Sequence, residues 1–170
     1  DLISEELEGA EIVKTVSLPQ FSATEWTLSN GARVVFRHAD YEKDNVTISG
    51  YAFGGSSFYP DSLEPALNLF PQVISMYGAG EFDNVALTKM LAGKKASVSL
   101  GLQETTQTVS GSSTPKDFET MMQLLYLRFA RPNFNKEANL FLINISEPTR
   151  RHAISYAVLC LKEKNILLAN

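Results

Sequence analysis

Between Phe53 and Leu102 the alternation of apolar and polar positions changes period twice. The run ALNLFPQVISMYG places Ala66, Leu69, Phe70, Val73 and Tyr77 on one helical face, with Leu67 and Ile74 widening the stripe. Gly78 and Gly80 end that helix. Asp83 or Asn84 can cap a second, shorter helix running into Gly93, which suits a left-handed C-terminal position. From Lys94 the period drops to two: Ala96, Val98, Leu100 and Leu102 face one way, Lys95, Ser97, Ser99 and Gly101 the other. A Thr/Ser-rich strand from Thr105 to Ser112 is the expected partner, joined across Gln103-Glu104.

Elsewhere the same reading gives a strand over Val46–Phe53, whose small residues Gly50 and Ala52 predict close packing under a helix. Two shorter strands carry Trp26 and Leu28, then Val34 and Phe36, with Asn30-Gly31 predicting a two-residue hairpin turn. Thr114-Pro115-Lys116-Asp117 is a helix start, with Thr as N-cap and Asp closing a capping-box-like pair. The stripe behind it is Phe118, Met121, Met122, Leu125 and Phe129, with both methionines assigned to the core and Pro132 ending the helix. Residues 1–23 read as a linker with an extended piece at Glu11 to Val16. The order of elements predicts a single α+β domain over 24–170, an antiparallel-rich sheet with helices packed on one face.

Candidate chemistry is sparse. His38 beside Asp40 has no second histidine or thiol nearby, and His152 lies far along the chain, so a solvated loop histidine is expected. Gly54-Gly55-Ser56-Ser57 lacks phosphate-loop spacing and reads as a tight strand-to-helix connection. Neither Ser110 nor Ser113 stands in a G-x-S-x-G elbow. Cys160, the one cysteine, excludes an internal disulfide and reads as a buried thiol. No catalytic and no cofactor-binding residue is therefore assigned. The 15 Lys+Arg against 19 Asp+Glu give a net charge of −4, and no basic run points to nucleic acid. No apolar run reaches the length of a membrane span. The chain begins at Asp1 rather than methionine, as a processed product or an excised piece would.

The succession of GGS, acidic residue, apolar helix and glycine turn, then KMLAGKKASVSL and SGSSTPKDFETMMQLLYLRF, resembles the pitrilysin family of zinc metallopeptidases. The family includes insulinase and the mitochondrial processing peptidases. The resemblance spans about residues 24 to 137 and is to the non-catalytic domain that opens the C-terminal half. Active members carry His-x-x-Glu-His, two zinc ligands one helical turn apart with a general base between them. That motif falls here on Asn68, Pro71 and Gln72, so no zinc and no other cofactor is expected in this chain. The resemblance implies zinc in the parent's catalytic half. As partners it implies the parent's other domains and a peptide substrate, enclosed between two bowl-shaped halves. A structural or interaction module of a parent that has lost peptidase activity is the alternative.

From Glu137-Ala138 the family's long polar helix gives way to a more apolar tail, broken at Pro148 and read as helical from Thr149 to about Leu168. Its apolar residues, among them Leu161 and Leu168, either cover the sheet or make a homodimer contact.

Overall fold

In a computed structural model the described residues are 2–133, apart from Glu6, Glu8, Asp40, Tyr41, Lys43 and Leu69. The tail expected to be helical over 149–168, with Cys160 and His152, lies outside them.

Among the described residues, three antiparallel sheets carry the architecture. The first joins β1 (Ile12–Leu18), β2 (Ala23–Leu28) and β3 (Arg33–Arg37) in the order β1-β2-β3. Part of the stretch read as a linker is therefore a strand, which starts one residue later and ends two residues later than the extended piece expected there. The β2–β3 connection also corrects the turn. Gly31 has φ +84° and its N–H donates to the Leu28 carbonyl, while the Leu28 N–H donates to Ala32. Asn30 has no positive φ, so this is a three-residue loop ending in a left-handed glycine, not a two-residue mirror-image turn.

The second sheet has β4 (Val46–Phe53), β7 (Thr106–Ser113) and β6 (Ala96–Leu102) in the order β4-β7-β6. Its third companion is a short pair, β5 (Gly78–Ala79) with β8 (Pro132–Asn133). The register of β6 on β7 sets Leu100 opposite Val109 and Val98 opposite Gly111, so the alternation read from Ala96 onward is the pleat of the sheet. On this face pack α2 (Phe70–Met76) and α4 (Phe118–Ala130), while α1 (Glu64–Asn68) leads into α2 and α3 (Asn84–Met90) sits against β5. Phe70, Ile74 and Leu100 form one core cluster, flanked by Val98, Leu102, Val109 and Phe129. Leu2, Ala79, Leu87, Leu124 and Leu127 form a second. The fold is α+β with helices on one sheet face. The opposite face of β4-β7-β6 is lined by Thr and Ser, most of them exposed or half-buried, and by the exposed Tyr51 and Phe53 of β4.

Two packing expectations need correction. A Cβ at Gly50 would meet the Val109 side chain, not a helix; the position that lies under a helix is Gly111, against Met121. On α4 the buried residues are Thr120, Met121, Leu124 and Leu127, whereas Phe118 and Met122 are exposed. Met121 belongs to the core and Met122 does not. The caps fall where the sequence puts them. Asp83 accepts from the Ala86 N–H at 2.7 Å, and the Thr114 hydroxyl accepts from the Asp117 N–H at 3.2 Å.

Candidate functional site

Asn68, Pro71 and Gln72, the positions on which the sequence comparison with the family puts the zinc motif, lie in α1 and at the start of α2. Asn68 is exposed at the end of α1, Pro71 is exposed at the second position of α2, and Gln72 follows it in the same helix. Carboxamides are weak zinc ligands, and proline cannot accept a proton. The residues present do not fit a zinc ion, and no step of chemistry can be routed through one here. Among the described residues, no group of three or more His, Cys, Asp or Glu is placed to hold a metal.

What Asn68 does line is a cleft of about 560 Å³ between α1, the β4–α1 connection and the β6–β7 turn. Its construction follows from two glycines. Gly54 takes φ +112°, and Gly55 is buried so tightly on the β6–β7 turn that a Cβ would overlap the Gln103 carbonyl. The chain is then stitched to that turn by Ser56 N–H to Gln103 O at 2.8 Å and Ser57 N–H to Glu104 O at 2.9 Å. Short 3-10 turns at Ser56–Phe58 and Asp61–Leu63 bring Tyr59, Asp61 and Glu64 into the lining of the cleft that Glu104 also borders. The wall is polar and carries negative charge. It offers acceptors to cations and amide N–H groups. Gly54-Gly55-Ser56-Ser57 is thus the strand-to-helix connection its spacing suggests.

A second, smaller pocket of about 110 Å³ lies between α2, β6 and α4, lined by Pro71, Ile74, Ser75, Val98, Ser99, Leu100 and Arg128. Arg128 Nη1 donates to the carbonyls of Ile74 at 2.9 Å and Tyr77 at 2.8 Å, closing the C-terminal end of α2. Burial pushes the pKa of this guanidinium down and that of the Tyr77 phenol up. No local signal in the sequence marks Arg128, because its partners lie some fifty residues earlier.

The remaining candidates are dispersed. His38 is exposed after β3, and its neighbour Asp40 lies outside the described residues. Ser110 is exposed on β7, while Ser113 is buried with no hydrogen-bond partner for its hydroxyl. Lys94 donates to the Thr120 hydroxyl at 2.9 Å, and the Lys95 N–H to the Asp117 carboxylate at 2.9 Å. With the Thr114 hydroxyl as second donor, that bond holds the Asp117 carboxyl below its usual range.

No family model matches the chain. It is 28% identical over 103 residues to a protein of Arabidopsis thaliana named zinc protease PQQL-like. It is 24% identical over 104 residues to the probable zinc protease PqqL of Haemophilus influenzae. Each match covers 61% of this chain but 11% of the relative, so the matched part spans about a ninth of their length. The periplasmic protease PqqL of Escherichia coli superposes with a TM-score of 0.74 at 24% identity, over 85% of this chain and 16% of that one. A peptidase M16 inactive domain from Pseudomonas fluorescens gives 0.58 at 20% identity, over 72% and 30%. In sequence the chain thus resembles zinc proteases of the pitrilysin (M16) type, and its fold is that of their domains, an inactive one included.

Proposed function

We propose that this chain is a non-catalytic domain of a larger pitrilysin-like peptidase, forming part of the wall that encloses peptide substrates opposite a zinc-bearing half. The observation that carries the reading is one segment seen two ways. The chain aligns with zinc proteases, while the residues at the expected motif positions, Asn68, Pro71 and Gln72, are an amide, an imino acid and an amide. A domain of this kind contributes shape and charge, not a reacting group. The cleft beside Asn68, walled by Asp61, Glu64 and Glu104, is the concave surface that a peptide would meet.

Metal analysis and peptide hydrolysis test the reading together. The isolated chain, washed with chelator, is expected to hold no stoichiometric zinc and to cleave no peptide, and the parent is expected to do both. Stoichiometric zinc bound by side chains of residues 68–72 in the isolated chain overturns the reading. So does a parent without peptidase activity. In an active parent, Glu64→Ala and Glu104→Ala are expected to raise KM for a cationic peptide with little change in kcat, as loss of uniform binding does.

A further inference from the structure

The sheet β4-β7-β6 ends on one side at β4, and no strand among the described residues is hydrogen-bonded along that outer edge. The Gly54 N–H donates to Thr105 O directly opposite, in the register that pairs Phe53 with Thr106. Bonding alternates along an antiparallel pair, so the even-numbered residues of β4 bond to β7. The backbone N–H and C=O of Thr47, Ser49, Tyr51 and Phe53 therefore point away from the sheet. The same reasoning holds on the far side of β7, where the Gln103 N–H donates to Thr106 O.

An open edge of this length is normally guarded by charge, proline, a bulge or brevity. β4 has none of these. Its eight residues, VTISGYAF, contain no charged residue and no proline, and the register with β7 runs without a shift from Val46 to Phe53. Two of the outward residues are aromatic and among the most exposed large hydrophobic side chains of the described residues, Tyr51 at 73% and Phe53 at 84%. In the first sheet β3 is likewise an edge strand, with no further strand beside it among the described residues. Leu28 bonds Ala32, so Arg33, Val35 and Arg37 direct their backbone groups outward from β3. Arg33 comes within electrostatic reach of Tyr51.

We propose that the outer edge of β4 is a strand-accepting site, completed by one extended, uncharged segment from the remainder of the parent protein. The occupant follows from length and from the edge itself. The relatives are about nine times longer than the matched part, so most of the polypeptide that could supply a strand lies outside these residues. An edge without charge selects a segment without charge, with apolar side chains at the positions flanking Tyr51 and Phe53. The proposal rests on the reading that the chain is one part of a larger protein. It does not depend on whether that protein is an active peptidase.

Residue-resolved hydrogen exchange on the isolated chain and on the full-length parent tests it. In the isolated chain the amides of Ile48, Gly50 and Ala52 are expected to be protected and those of Thr47, Ser49, Tyr51 and Phe53 to exchange freely. In the parent the second set is expected to slow at least tenfold. Equal, fast exchange of the odd set in both proteins overturns the proposal, because the edge is then open to solvent in the parent too. Slow exchange of the odd set in the isolated chain at a monomeric mass also overturns it, because β3 or another segment of this chain then closes the edge. Slow exchange in an associated isolated chain overturns it in favour of pairing between copies. Ser49→Pro removes one outward N–H and none directed at β7. It is expected to lower the melting temperature of the parent by several degrees more than that of the isolated chain. An equal shift in both counts against the proposal. Peptidase assays on the same samples report separately on the enclosing role.

Discussion

At the scale of single residues, the positions that matter most are those with no polar group to satisfy. Phe70 is fully buried between the sheet and Phe129. Phe70→Ala is expected to cost about 3–5 kcal/mol, the transfer term plus the cavity left behind. A loss below about 1 kcal/mol in denaturant melts would mean that the site collapses onto Ile74 and Leu100 instead. Asp117 works differently, through charge and two donors, the Lys95 N–H first and the Thr114 hydroxyl second. Its carboxyl has a lower pKa folded than unfolded, so the stabilisation is present above the ordinary aspartate value. It is lost as pH falls through the folded one, below about pH 4. The melting temperatures of the protein and of Asp117→Asn should therefore converge as pH falls through that region. A gap unchanged from neutral pH to acid would assign the effect to packing.

Elements were legible where periodicity is unambiguous and illegible where it is not. The strand of 96–102 alternates Ala, Val, Leu, Leu with Ser, Ser, Gly, and its buried face is the one the alternation selects. The helix of 118–130 is apolar on most sides, FETMMQLLYLRFA, so more than one stripe fits its sequence and the partner surface decides between them. The sheet, together with Leu2, Ala79 and Leu87, selects Met121, Leu124 and Leu127, leaving Phe118 and Met122 exposed. Met121→Ala is accordingly expected to cost about 2–5 kcal/mol and Met122→Ala under about 1 kcal/mol. Equal losses in the two variants would put both methionines in the core. Other features carry no local signal at all. The Leu2 N–H donates to the Gln123 side chain, 121 residues away, and Arg128 clasps carbonyls of α2. Such contacts are consequences of the whole fold. At the candidate site the residue types at 68, 71 and 72 were readable from the string, whereas the cleft they border depends on how Gly55 seats on the β6–β7 turn.

For the molecule as a whole, stability is unevenly placed. Neither core cluster draws a residue from β1, β2 or β3, and Ala23 is the one buried residue of that sheet. The sheet is held by its own ladder, by a Trp26–Phe36 stack at 5.8 Å and by the Arg33–Glu25 ion pair at 2.8 Å. The ion pair is exposed on its arginine side, and such pairs add little in water. Three short strands with Val34, Val35 and Phe36 all exposed are close to the limit of independent stability. The β6–β7–α4 unit, by contrast, encloses Phe70, Leu100, Met121, Leu124 and Leu127. Local opening of residues 12–37 should therefore cost less free energy than opening of the second sheet. In native-state exchange of the isolated chain, amides that are hydrogen-bonded within β1–β3 are expected to exchange through a low-energy opening, nearly independent of denaturant. Those of β6, β7 and α4 are expected to exchange with a steep denaturant dependence, through global unfolding. Limited proteolysis is expected to cut first between residues 12 and 45. If β1–β3 instead exchanged with the same free energy and denaturant slope as α4, the two sheets would unfold as one cooperative unit, and contacts outside the described clusters would have to bind them together.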